Sequence, residues 1–105
     1  MVEIAQLHRE LVARVLESDG KATAEMRRAA FENAGLNDPV RTLIEKVAQH
    51  AYRVTDEDVA AVRAAGLSED QIFEIVVCAA VGQASRQYTS ALAALASATK
   101  ETPER

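Results

Sequence analysis

The sequence predicts an all-α fold, a single-domain bundle of about five helices completed by oligomerisation. Three observations carry that expectation. Apolar residues recur at spacings of three and four in one segment after another. Helix-starting and helix-stopping residues punctuate that pattern. The core must be built from small side chains, because 49% of the residues are apolar but only 4% are aromatic, with no Trp. A domain of 105 residues buries a smaller share of its surface than a large one. Filling it with Ala, Val, Leu and Ile deepens the shortfall, so some apolar helix faces are expected to find cover on another copy.

Taken in order, Ile4, Leu7, Leu11 and Val15 make one apolar stripe on a first helix. Asp19-Gly20 breaks it. A second helix is predicted from about Thr23 to Ala34, with Gly35 just beyond its end. Asn37 or Asp38 is expected to cap a third, with Pro39 in the first turn, where a missing N–H costs nothing. Its apolar face is Val40, Leu43, Ile44, Val47, Ala48 and Ala51. Thr55 reads as the next N-cap, with Asp56, Glu57 and Asp58 beside the free N–H groups of the first turn. Val59, Val62 and Ala64 or Ala65 are expected to face inward, and Gly66 to stop that helix. Ser68 and Gln71 form a capping box that opens the last helix, from about Glu69 toward Ser97. IVVCAAV is read as part of that helix, apolar all round and therefore central and buried. The ETPER tail is expected to fray.

Composition narrows the function. A net charge of −4 with both signs interspersed argues against a nucleic-acid surface, which needs clustered Lys and Arg. No run of transmembrane length is free of charge. MVEIAQLHRE lacks the basic-then-apolar order of a secretory signal. One cysteine allows no intrachain disulfide and no paired-thiol metal or redox site. The expectation is one cytoplasmic domain over residues 1–105.

Few residues carry chemistry. Cys78 is the single thiol, and its neighbours Val76, Val77, Ala79 and Ala80 favour a buried apolar residue over a reactive one. His50 and Glu45 would make a base and its orienting carboxylate. Five residues apart on a helix, they point about 140° from each other. Tyr52 and Asp58 are the remaining acid/base candidates. His8 lies one position off the first stripe and is read as a surface or subunit-contact residue. The Asp56-Glu57-Asp58 group and Glu69-Asp70 each start a helix, and lack the alternating ligands and glycine of a calcium loop. Two histidines with no shared spacing do not suggest a metal site. No phosphate loop or nucleophile elbow is present. No cofactor and no metal are expected.

The stretch from about Val40 to Leu95 resembles the alkylhydroperoxidase-like and carboxymuconolactone decarboxylase family. The likeness runs through RTLIEKVAQHA, a short helix ending in AAG, then LSEDQIFEIVVCAAV. The matching residues are Ala64, Ala65, Gly66, Leu67, Ser68, Glu69, Ile72, Glu74 and Ala79–Val81. The resemblance implies a compact helical unit that self-associates as a dimer, trimer or hexamer. It also places the family's two motif cysteines and histidine at 15, 12 and 8 residues before Gly66. Those positions hold Ala51, Val54 and Asp58. The outline is present and the reactive groups of both family chemistries are absent.

Three functions follow, in order of preference. The first is a divergent, non-peroxidatic member, an oligomeric scaffold or small-ligand binder. The second is a decarboxylase- or isomerase-like enzyme whose intersubunit pocket uses His50, Glu45, Asp58 or Tyr52. The third is a thiol peroxidase using Cys78 across an interface.

Overall fold

The computed structural model describes residues 2–17 and 19–101. It is all-helical, with no strand among the described residues. The elements are α1 (Val2–Glu17), α2 (Ala24–Glu32), α3 (Val40–Gln49), a 3-10 turn (Ala51–Arg53), α4 (Asp56–Ala64) and α5 (Glu69–Glu101). IVVCAAV lies within α5, as its flanking cap and missing turn residues predict.

Side-chain caps set most of the helix starts. Thr23 Oγ1 accepts from Met26 N at 3.0 Å and opens α2. Thr55 Oγ1 accepts from Asp58 N at 3.2 Å, while Asp58 Oδ2 accepts from Thr55 N at 2.9 Å. That is a reciprocal box at the start of α4. Ser68 and Gln71 form a second one, with bonds of 2.8 and 3.1 Å. Gly66 adopts φ +112°, a value that side chains with a β-carbon resist, and it turns the chain from α4 into α5.

Several boundaries differ from the sequence expectation. Asn33, not Gly35, takes the left-handed cap of α2, at φ 53°. Asn tolerates that conformation better than most residues, so the helix can stop two residues early. Pro39 is itself the N-cap of α3. Asp38, one residue before that cap, bonds the side chains of Arg41 (2.9 Å) and Thr42 (2.7 Å). α3 ends at Gln49, so Ala51 falls in the exposed 3-10 turn and off the apolar face. Ala64 and Ala65 are exposed, and only Val62 and Val59 of α4 turn inward. α5 runs on to Glu101, because no Gly or Pro follows Gly82 until Pro103. Of the ETPER tail, residues 102–105 lie outside the described residues.

The core sits on the first half of α5. Ile44, Ala30, Ala22, Ile75, Cys78 and Ala79 form one buried cluster, and Leu43, Val62 and Ile72 form another. At the crossing of α2 and α5, Gly82 abuts the Phe31 carbonyl so closely that a β-carbon has no room. Arg86 Nη1 donates to the same carbonyl at 2.7 Å, which satisfies an end-of-helix acceptor. Glu74 ties the α1–α2 connection to α5 by accepting from Lys21 N (2.8 Å) and Ala22 N (2.7 Å).

The second half of α5 departs from the expectation of a central helix. Every residue from Thr89 to Thr99 is exposed. Much of the stripe on α1 is likewise uncovered, with Ile4 49%, Leu7 64% and Leu11 49% accessible. Only its far end meets the core, through Leu16 and Val15. The molecule is correspondingly elongated, 60 × 28 × 20 Å.

Candidate functional site

The most distinctive surface is a groove between α1 and α5. The two helices run antiparallel, as two contacts far apart in sequence show. Cys78 Sγ lies 3.6 Å from Val15 O at one end, and His8 Nε2 lies 2.9 Å from Ser85 Oγ at the other. Around the His8–Ser85 contact Ile4, Leu7, His8 and Leu11 from α1 face Val81, Ala84, Ser85 and Tyr88 from α5. The groove has a volume of about 380 Å³ and is apolar except for the His8–Ser85 pair. The rings of His8 and Tyr88 pack with centroids 4.9 Å apart, tilted by 55°. This contact holds the imidazole toward Ser85. A serine hydroxyl bonded to an imidazole is half of a nucleophilic constellation. Here Ser85 sits in the middle of a helix, where the neighbouring N–H groups are tied into the helical ladder and offer no oxyanion hole. The pair therefore works as a polar stitch in an apolar wall.

The other sequence candidates are scattered. Asp58 binds Lys46 Nζ at 3.1 and 2.9 Å, besides its bonds to Thr55 N and Oγ1. The Lys46 ammonium first, then the Thr55 N–H, holds its carboxyl below the usual carboxylate range. An ionised carboxylate fixed this way caps α4 and ties it to α3; it is not poised to take up a proton. His50 closes α3 and is exposed; its ring meets Tyr52 edge-on at 6.0 Å, and the Arg53 guanidinium lies 5.7 Å from the Tyr52 centroid. Tyr52 is 79% accessible. Glu45 is exposed on α3. None of these four lines the α1/α5 groove.

Cys78 is 1% accessible, and burial pushes its thiol above the ordinary value. That shift favours the thiol over the thiolate, the form that attacks peroxide. A smaller cleft of about 210 Å³ beside it is lined by Arg14, Asp19, Arg27 and Glu74 among others. Lys21 N and Ala22 N hold the Glu74 carboxyl below its ordinary value. No group of three or more His, Cys, Asp or Glu side chains stands close enough to hold a metal ion among the described residues. No helix there is long and apolar enough to cross a membrane.

Sequence reading isolated His8 but missed its partners, which lie 77 and 80 residues away. The available signal was periodic. Val81, Ser85, Tyr88, Leu92 and Leu95 follow at alternating steps of four and three, a single seam along α5. Comparisons with family models, curated proteins and solved structures found no match.

Proposed function

We propose that this chain is a non-peroxidatic homo-oligomeric scaffold of the alkylhydroperoxidase-like kind, working in the cytoplasm. The observation that carries the reading is the apolar face shared by α1 and the second half of α5. Ile4, Leu7, Leu11, Leu92 and Leu95 are all 43% or more accessible on one chain. Single exposed apolar residues are ordinary, but a contiguous row of large ones on a small domain marks an interaction surface. The chemistry-bearing groups support the same reading. Cys78 is sealed as a neutral thiol, Asp58 is committed to a cap, and His50 and Tyr52 stand on an open turn. The family resemblance rests on the motif outline alone.

The test has two arms. Light scattering of the purified chain at tens of micromolar should give a multiple of the 11.3 kDa chain mass. A peroxide-consumption assay with a thiol reductant should give the same background rate for the wild type and Cys78→Ser. A stable monomer sinks the scaffold, and rapid consumption lost in Cys78→Ser restores the peroxidase.

One observation favours a second reading, small-ligand binding. The His8–Ser85 pair gives the groove a single polar point, the usual layout of a site for a small amphipathic molecule. Titration with a medium-chain fatty acid such as octanoate should then perturb the NMR signals of His8, Leu11 and Ser85 saturably. The absence of any shift at millimolar octanoate would remove it.

A further inference from the structure

We infer that a second copy of this chain covers the face, with the outer half of its α5 lying antiparallel in the α1/α5 groove, each copy serving the other. This rests on the scaffold reading and names its geometry.

The first support is charge. From Gln87 to Thr99 thirteen consecutive residues carry no charge, in a chain that is 27% charged. An exposed helix exists in water by its polar and charged face; this arm has only Ser, Thr and Gln for that role, spread among Ala and Leu. In a two-fold interface the same surface meets itself, so a charged arm would face its own sign. A neutral arm meets no such repulsion.

The second support is the seam. Val81, Ser85 and Tyr88 face α1, and the same 3-4 spacing continues through Leu92 and Leu95 after α1 has ended. Pairing His8 with Ser85 and Val15 with Cys78 puts the start of α1 near residue 91 of α5. The ten residues beyond it extend about 15 Å further at the helical rise. The helix thus outruns its own partner by nearly three turns, and the apolar stripe by about one.

The third support is the direction. In a parallel pairing the arm would touch only the other arm and leave Ile4, Leu7 and Leu11 wet. An antiparallel pairing lays Leu92 and Leu95 of one copy over those three residues of the other, and the converse. Both uncovered rows close at once.

The experiment uses five variants of the full chain. In a Leu7→Cys/Leu95→Cys double variant, the two positions of one chain are separated by about nine residue steps along α5. That is about 13 Å, too far for an intrachain disulfide. Mild oxidation should therefore give a covalent dimer that either single variant yields far less readily; the buried Cys78 does not interfere. Leu95→Glu and Leu7→Glu should each weaken dimerisation about a hundredfold or more while keeping helicity. A wild type that is monomeric overturns both this pairing and the scaffold. A wild-type oligomer that survives Leu95→Glu, with no cross-link in the double variant, overturns this pairing and leaves the scaffold standing.

Discussion

Two stretches of α5 look alike in composition and meet opposite surroundings. Ile72–Gly82 is packed by α2, α3 and α4, and Ile75, Cys78 and Ala79 are almost wholly out of water. Thr89–Thr99 has just as unbroken a helical pattern, and all of it is exposed. Both are rich in small apolar residues that let another helix approach closely. In the first stretch that helix is α2, brought close by the β-carbon missing at Gly82. In the second, no such helix packs on it among the described residues. The lesson is that apolar periodicity specifies a face and leaves its cover unspecified; for the outer half of α5 the pairing inferred above would supply it.

Substitutions should separate the two halves sharply. The largest effect belongs to Gly82→Val, which drives a branched side chain into the Phe31 carbonyl. Backbone would have to move, at a cost of about 4 kcal/mol or more, enough to unfold a marginal domain. Urea denaturation near the wild-type midpoint would show that the α2/α5 crossing is looser than described. Ile44→Ala comes next, at about 3 kcal/mol, because it empties a fully buried site between α3 and α5. A loss under 1 kcal/mol there would mean that the core collapses readily around small side chains.

Glu74→Gln should cost about 2 kcal/mol at neutral pH by weakening two charge-assisted bonds to Lys21 N and Ala22 N. The sign with pH is fixed by direction. The folded-state value of Glu74 is lowered, so its contribution is present above the ordinary carboxylate range and lost as pH falls through that lowered value. The wild type should therefore lose stability on acidification more steeply than Glu74→Gln, the two converging at low pH. Parallel urea curves across pH would show that the Lys21 and Ala22 contacts do not persist in solution. The smallest effect belongs to Leu95→Ala, under about 0.5 kcal/mol on the folding of a single chain, since the residue is 64% accessible. Its effect should appear in the concentration dependence of melting. A large loss of monomer stability would place Leu95 in the core.

The helix framework was legible from the sequence because caps are local. Thr55, Ser68 with Gln71, and Gly66 each act within three or four residues of their own position. Asn33 displaced Gly35 as the α2 cap because two neighbouring residues tolerate φ > 0, and local chemistry does not rank them. Asp58 was read as a helix-starting carboxylate; its bond to Lys46, twelve residues away, follows from how α3 and α4 pack. The groove was the least legible part. His8 reaches Ser85 across most of the chain, and neither residue has a neighbour in sequence that announces the pair. The stripe Ile4, Leu7, Leu11 was visible, but that it faces away from the core was not, because the spacing is the same in both cases.

The most direct test of the contrast is amide hydrogen exchange on α5 at low and high protein concentration. Amides of residues 72–82 should be strongly protected at both. Those of residues 92–99 should exchange fast in dilute solution and gain protection as concentration rises through the assembly range. Protection of the arm that stays low at every concentration, or that equals the core at high dilution, would contradict the account.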